Sequence, residues 1–145
     1  MVDVPPEVAI KATIQPGSVY YFAEESFSSR EPHYFIVLNK TPIEDNVILL
    51  VCASSKIKKV TRRRVNCPSE TLVRISPAQY AVFKSETIID CNNVFEKPVD
   101  HLVDKLAQGK LRSRDEMAPI LVANLREGVI ASPLVEEYIK ELLKN

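Results

Sequence analysis

The basic residues of this chain are concentrated in one short run near its middle. Six of its 19 lysines and arginines fall within nine consecutive positions. They are Lys56, Lys58, Lys59, Arg62, Arg63 and Arg64. A loop of such residues can follow a chain of phosphates, because each neutralised phosphate releases counterions and Arg binds phosphate through two hydrogen bonds. Phosphate binding and simple solubilising charge are the two functions that this run allows.

Three further side chains could act on a bound phosphate. An imidazole titrates near pH ~6.5 and can move protons at neutral pH, and His33 begins an apolar segment three residues after Arg30. Ser54 and Ser55 directly precede the basic run, where a hydroxyl can donate to a phosphate or a developing oxyanion. The alternatives are a surface histidine with a local hydrogen bond and serines that satisfy the backbone as the chain turns.

Other chemistries find less support in the sequence. No GxSxG motif surrounds the serines, and the 3 glycines exclude the common Gly-rich phosphate loops. The two histidines are far apart and the 3 cysteines form no CxxC pair, so we expect no metal and no other cofactor. The second histidine, His101, falls on the polar side of a predicted helix, where we expect it to be solvated.

Charge and hydropathy patterns predict a cytoplasmic protein. The 19 acidic residues balance the 19 basic ones, so the overall charge favours no polyanionic partner and only the local basic run does. The first residues contain neither a basic n-region nor an apolar h-region, and no apolar run approaches the ~18 residues of a membrane span. The odd number of widely spaced cysteines fits reduced thiols. We therefore expect no membrane association.

Short apolar segments rich in β-branched and aromatic residues predict five strands. They cover residues 18–22, 34–39, 47–53, 71–75 and 87–91. Turn-forming stretches such as Pro16-Gly17 separate them. Because no long helical segment intervenes, the pattern favours a small antiparallel barrel or sandwich over an α/β sheet.

After residue 97 the apolar period becomes that of helices. The predicted helices lie at 98–109, from 113 or 115 to 128, and after residue 132. Strands followed by helices indicate an α+β protein. We expect residues 1–110 to form the barrel domain with its first helix, and residues 111–145 to form a helical extension packed on the same domain. The alternative is that the apolar stripes of this extension bind another protein.

Four segments of the chain, taken in order, carry a resemblance to a known family. They are PGSVYYF at 16–22, HYFIVL at 33–38, VCASSKIKK at 51–59 and ETIIDCNNVFEK at 86–97. Over roughly residues 14–107 the chain resembles the MazF/PemK/Kid toxins of type II toxin–antitoxin modules. The resemblance implies an SH3-like antiparallel β-barrel, a homodimer that cleaves single-stranded RNA without a metal, leaves a 2′,3′-cyclic phosphate and is neutralised by a cognate antitoxin.

The resemblance also implies a set of site residues. Ser54 matches the Thr or Ser at the end of the family's third strand, and His33-Tyr34 stands where the family has Arg followed by Pro. A histidine there could serve as acid or base, with Arg30 supplying charge. The implied catalytic residues are His33, Ser54 and Arg30. The implied RNA-binding residues are Ser55, Lys56, Lys58, Lys59, Arg62, Arg63, Arg64 and Asn93.

Two functions therefore follow from the sequence. The first is a metal-independent endoribonuclease toxin. The second is a non-catalytic barrel of the same kind that binds RNA or a partner protein. The second interpretation draws on His33 and on Asn93, which stands where many family members carry a basic residue.

Overall fold

Seven antiparallel strands and six α-helices form the part of the chain that the structure describes, residues 4–144 of a computed structural model. The strands are β1 Val19–Phe22, β2 His33–Val37, β3 Ile48–Ser54, β4 Leu72–Ile75, β5 Thr87–Asp90, β6 Phe95–Lys97 and β7 Leu111–Arg114. The helices are α1 Pro6–Thr13, α2 Pro42–Asp45, α3 Ile57–Arg63, α4 Val99–Ala107, α5 Pro119–Ala131 and α6 Glu137–Lys144. The predicted α+β class is confirmed.

The strands are joined in the order β4-β5-β3-β2-β1-β7, and β6 pairs with β3 beside this path. Strand β3 is the centre, because it pairs with β2 on one side and with both β5 and β6 on the other. Strands β4 and β7 are the ends of the order, so the sheet is not closed within residues 4–144. Closure into a barrel stays a prediction.

Both faces of the central strands are buried, which explains why β2 and β3 are almost continuously apolar. One face carries Ile36, Leu49 and Val51 and is covered by α5 and α6. The opposite face carries Phe35 and Leu50 and is covered by α1 and α4. Successive strand residues point to opposite faces, so a strand buried on both sides loses the polar alternation of a half-exposed one.

All five predicted strands are confirmed to within two residues at each end. The predicted first helix corresponds to α4 and the third to α6. The predicted start of the second helix is wrong, because residues 111–114 form β7, which pairs with β1, and α5 begins only at Pro119. Helices α1, α2 and α3 and strands β6 and β7 were not predicted. They are eight residues long or shorter, so packing and pairing with distant segments stabilise them rather than local propensity.

Helix α5 packs very closely on the sheet at one glycine. A Cβ atom on Gly128 would lie 2.8 Å from the carbonyl oxygen of Glu70 and 2.9 Å from Sγ of Cys91. Only a residue without a side chain fits there, although glycine costs a helix interior about 1 kcal/mol relative to alanine. This contact brings the C-terminal helices against β5. No helix within residues 4–144 is both long and apolar enough to cross a membrane.

Candidate functional site

A cleft of about 580 Å³ opens where three connections meet beside the sheet. The β1–β2 loop forms one side, the end of β3 with α3 forms the second, and the β4–β5 loop forms the third. Seven of the eleven predicted site residues line it. They are His33, Ser54, Ser55, Lys56, Lys59, Arg63 and Asn93. These seven residues come from three separate parts of the chain, which the fold brings to one place.

His33 is the first residue of β2 and is partly buried in the cleft wall. Its Nδ1 lies 3.0 Å from the carbonyl oxygen of Glu31. A carbonyl oxygen can only accept a hydrogen bond, so Nδ1 carries the hydrogen. The lone pair that can accept a proton is then on Nε2 of the neutral ring. The ring of Phe27 packs edge-to-face against the imidazole, with the two ring centroids 5.1 Å apart, and this contact also restricts the orientation of His33. The tautomer and the orientation suit proton transfer through Nε2.

Ser54 ends β3 and also lies in the cleft. Its Oγ accepts a hydrogen bond from the backbone N–H of Lys56 at 3.1 Å. The predicted backbone role of this serine is therefore confirmed. A hydroxyl that accepts one bond still has its own hydrogen to donate. Ser54 can thus satisfy the turn and donate to an oxygen of a bound phosphate at the same time.

The basic run forms a helix, not the predicted loop. Helix α3 spans Ile57–Arg63 and buries Val60 against the protein. Helical spacing divides the cations, since positions 56, 59 and 63 share one face. Lys56, Lys59 and Arg63 line the cleft, whereas Lys58 and Arg62 are exposed outside its lining.

Arg64 is committed to an ion pair instead of the cleft. Its Nε lies 2.8 Å from Oδ2 of Asp90, and Nη2 of Arg63 lies 3.4 Å from the same oxygen. Burial opposes ionisation of Asp90, but hydrogen bonds from Arg64 and Asn92 outweigh it and hold the pKa of this carboxyl below its ordinary value. Asp90 is therefore a carboxylate at neutral pH. Arg64, predicted to bind RNA, has its guanidinium turned to this carboxylate.

Arg30 is not brought to the cleft by the structure. It is exposed in the β1–β2 loop, and its neighbours Ser29 and Glu31 line the cleft while Arg30 does not. The β4–β5 loop contributes a further cation, Lys84, and the adjacent Ser85 to the cleft lining. Sequence reasoning missed both residues, because an isolated Lys-Ser pair in a turn carries no signal of its own.

Aromatic rings form much of the remaining cleft wall. The centroids of Tyr21 and Tyr34 are 4.5 Å apart, and those of Tyr34 and Phe83 are 5.7 Å apart. Phe27 and Phe95 form a second pair at 5.5 Å. Aromatic faces beside cationic groups are the usual platform for unpaired bases. In the sequence these residues are scattered over strands and loops, and nothing marked them as members of one site.

Cys52 is the one cysteine among the cleft-lining residues. Burial, with a further contribution from the charge of Glu24, raises the pKa of its thiol to about 12. A thiol that is not ionised at neutral pH is a poor nucleophile and a poor metal ligand. The chemistry of the cleft therefore does not depend on a thiolate.

Outside the cleft, Glu24, Glu25 and His101 bring ligand-type atoms within 4.8 Å of one another. Lys97 lies 2.8 Å from the Glu24 carboxylate and Lys105 lies 2.7 Å from that of Glu25. These ammonium groups already balance both carboxylates, so we assign no ion to this cluster. The expectation that the protein uses no metal stays a prediction.

His101 itself differs from expectation. We expected a solvated side chain, but the imidazole is partly buried beside Phe22, with ring centroids 6.3 Å apart. Its Nε2 is buried without a hydrogen-bond partner within the described residues. Burial, followed by the charges of Lys97 and Lys105, lowers the pKa of His101. The ring is thus held neutral on the α4 side of the sheet.

No protein-family model matches this chain, and no curated protein matches it at a significant level. The similarity to the MazF/PemK/Kid toxins therefore rests on the four sequence segments alone.

Proposed function

We propose that the protein is a metal-independent endoribonuclease that cleaves single-stranded RNA in this cleft. The observation that carries the proposal is the meeting of His33, Ser54 and the cationic face of α3 in one cavity. These groups come from separate elements of the chain, and they are the groups that transesterification of a phosphodiester needs. The aromatic wall supports RNA in single-stranded form, because only unpaired bases can stack on side chains.

The reaction needs no external nucleophile. The 2′-oxygen of the ribose attacks the adjacent phosphorus, the bond from phosphorus to the 5′-oxygen breaks, and a 2′,3′-cyclic phosphate and a 5′-hydroxyl result. Nε2 of His33 accepts the 2′ proton, and the Ser54 hydroxyl donates to a non-bridging oxygen. The Lys56, Lys59 and Arg63 side chains neutralise the charge that develops on the phosphoryl group, and a cleft ammonium or water protonates the leaving oxygen.

The remaining features follow from the family resemblance. We propose that the antiparallel sheet is an open relative of the SH3-like barrel, that the protein forms a homodimer, and that a cognate antitoxin neutralises it in the cytoplasm. The antiparallel pairing of β1 with β2 and of β2 with β3 supports the fold assignment. A neighbouring short reading frame that encodes a binding partner would support the toxin–antitoxin assignment.

A specific observation favours one alternative, a non-catalytic module that binds RNA or a partner protein. His33 and Asn93 stand in the cleft where the resemblance places basic residues. Replacing cations with neutral groups weakens the stabilisation of a pentavalent phosphorane more than it weakens simple binding. The alternative predicts salt-dependent RNA binding without scission.

Incubation with a mixed single-stranded RNA pool tests the proposal. In the presence of a chelator, we expect fragments that carry 2′,3′-cyclic phosphate and 5′-hydroxyl ends. Salt-dependent binding without such ends would replace the nuclease with the binding module. If neither cleavage nor salt-dependent binding is observed at a large excess of protein, the cleft does not act on RNA.

The helical spacing of the cations gives a matched pair of charge reversals. Lys59→Glu places a negative charge in the cleft, whereas Lys58→Glu makes the same change at the adjacent position outside the lining. We expect Lys59→Glu to weaken binding of single-stranded RNA about tenfold at low salt and to reduce the slope of log affinity against log salt by about 0.7. Lys58→Glu should have a clearly smaller effect. Fluorescence anisotropy over a salt series measures the RNA affinity of both variants and its salt dependence. Equal losses of affinity in the two variants would show that RNA does not bind in the cleft.

A further inference from the structure

A chain of hydrogen bonds between buried side chains joins the C-terminal helices to the basic helix α3. Ser132, which follows α5, donates from Oγ to Oδ1 of Asn92 at 2.7 Å. Nδ2 of Asn92 donates to Oδ1 of Asp90 at 2.9 Å. The other carboxylate oxygen of Asp90 accepts from Nε of Arg64 at 2.8 Å. The chain therefore runs from Ser132 through Asn92 and Asp90 to Arg64.

These side chains are buried and well connected. Ser132, Asn92 and Asp90 expose only 0%, 6% and 7% of their surface. Asn92 also donates to Oγ1 of Thr71 at 3.0 Å, and Oγ of Ser132 accepts from the backbone N–H of Leu134 at 3.1 Å. Hydrogen bonds are strong in such a low-dielectric site, and an unsatisfied member is costly. The position of each group is thus tightly coupled to that of the next.

The far end of this chain lies beside the cleft. Arg64 directly follows α3, and Arg63 in the last turn of α3 contacts the same carboxylate oxygen. The Arg63 side chain is 51% exposed and lines the cleft together with Lys59. Fixing the C-terminal end of α3 therefore fixes the direction in which these two cations enter the cleft. Ser132 is uncharged and is not among the cleft-lining residues.

We propose that Ser132, Asn92 and Asp90 are positioning residues through which the C-terminal helices hold the cations of α3 in the cleft. The proposal rests on the proposed RNA-binding function of that cleft. The segment after residue 111 lies beyond the family resemblance and does not line the cleft. In this proposal it nevertheless contributes to the site, because it holds α3 in place. Asp90 also lines the cleft, and its role in the proposal is to hold α3 through Arg63 and Arg64.

Two substitutions separate positioning from electrostatics. Ser132→Ala removes one hydroxyl and changes no charge, so simple electrostatics predicts no effect on RNA affinity. Asp90→Asn removes a negative charge next to Arg63, so simple electrostatics predicts tighter binding. Positioning predicts weaker binding for both. The matched control is Ser113→Ala, the same chemical change at an exposed residue of β7.

Hydrogen exchange and RNA affinity, measured on the full chain, test the proposal. In Ser132→Ala we expect the amides of residues 60–64 to exchange about tenfold faster, as after loss of one buried hydrogen bond. Amides of α1 and α4 on the opposite face should be unchanged. The Kd for a single-stranded RNA should rise about three- to tenfold. Ser132→Cys, which retains a weak donor, should fall between wild type and Ser132→Ala.

Several outcomes would overturn the proposal. Unchanged exchange in α3, or faster exchange of equal size in α1 and α4, would show that the chain does not position this helix. Tighter RNA binding by Asp90→Asn would show that the carboxylate acts only through its charge. If Ser132→Ala does not fold, the exchange of the amides of residues 60–64 in Asp90→Asn tests the proposal in its place. If wild-type protein binds no RNA, the proposed function fails, and the exchange of α3 still tests the positioning chain separately.

Discussion

Replacement of His33 by alanine is expected to slow RNA cleavage by about 10²- to 10⁴-fold, the range that a positioned general acid or base contributes. The reason is the geometry of the ring, whose Nδ1 is committed to the carbonyl oxygen of Glu31. Nε2 is then the atom that exchanges a proton with the substrate. Single-turnover rates on a short RNA, with the Kd measured in parallel, should show the loss in the rate constant and a Kd within about threefold of wild type.

The second histidine supplies the control. His101 lies on the α4 side of the sheet, away from the cleft-lining residues. The variant His101→Gln should therefore keep the wild-type cleavage rate. Retention of full activity by His33→Ala would remove this residue from the mechanism. Equal losses in both variants would indicate a general effect on folding, which the melting temperature would reveal.

Replacement of Ser54 by alanine is expected to slow cleavage by about 10²- to 10³-fold, the cost of removing one donor to a developing oxyanion. The substitution also removes the acceptor of the Lys56 amide, at the N-terminal end of α3. That N–H is exposed and can bond to water, so we expect RNA binding to change little. The same single-turnover assay measures the rate.

Ser54→Thr makes the two roles of this hydroxyl separable. It retains the oxygen and its hydrogen, and it should preserve most of the activity that Ser54→Ala loses. Loss of RNA affinity in Ser54→Ala, with an unchanged rate constant for bound RNA, would assign the hydroxyl to the turn at the start of α3 and not to the phosphate.

The basic run shows how far local sequence can be interpreted. Its density of charge was visible at once, and phosphate binding was one of two functions that it allowed. The structure divides it into three environments. Lys56, Lys59 and Arg63 face the cleft, Lys58 and Arg62 lie outside the lining, and Arg64 is paired with Asp90. This division requires that the segment be a helix, which its sequence did not reveal.

The sequence alone determined the five main strands, the α+β class and helix α4. It also placed His33 and Ser54 at strand ends. These features depend on local patterns, namely the spacing of apolar residues and the position of turn-forming residues, which act over a few neighbours.

Only the tertiary structure decided which of these residues meet. It formed α3 and β7 from segments with weak local signals, brought Lys84 and Ser85 into the cleft and left Arg30 outside it. The Arg64–Asp90 bond spans 26 positions in the sequence and the Ser132–Asn92 bond spans 40. Contacts at such separations depend on how the sheet and the helices pack, and no property of either neighbourhood in the sequence encodes them.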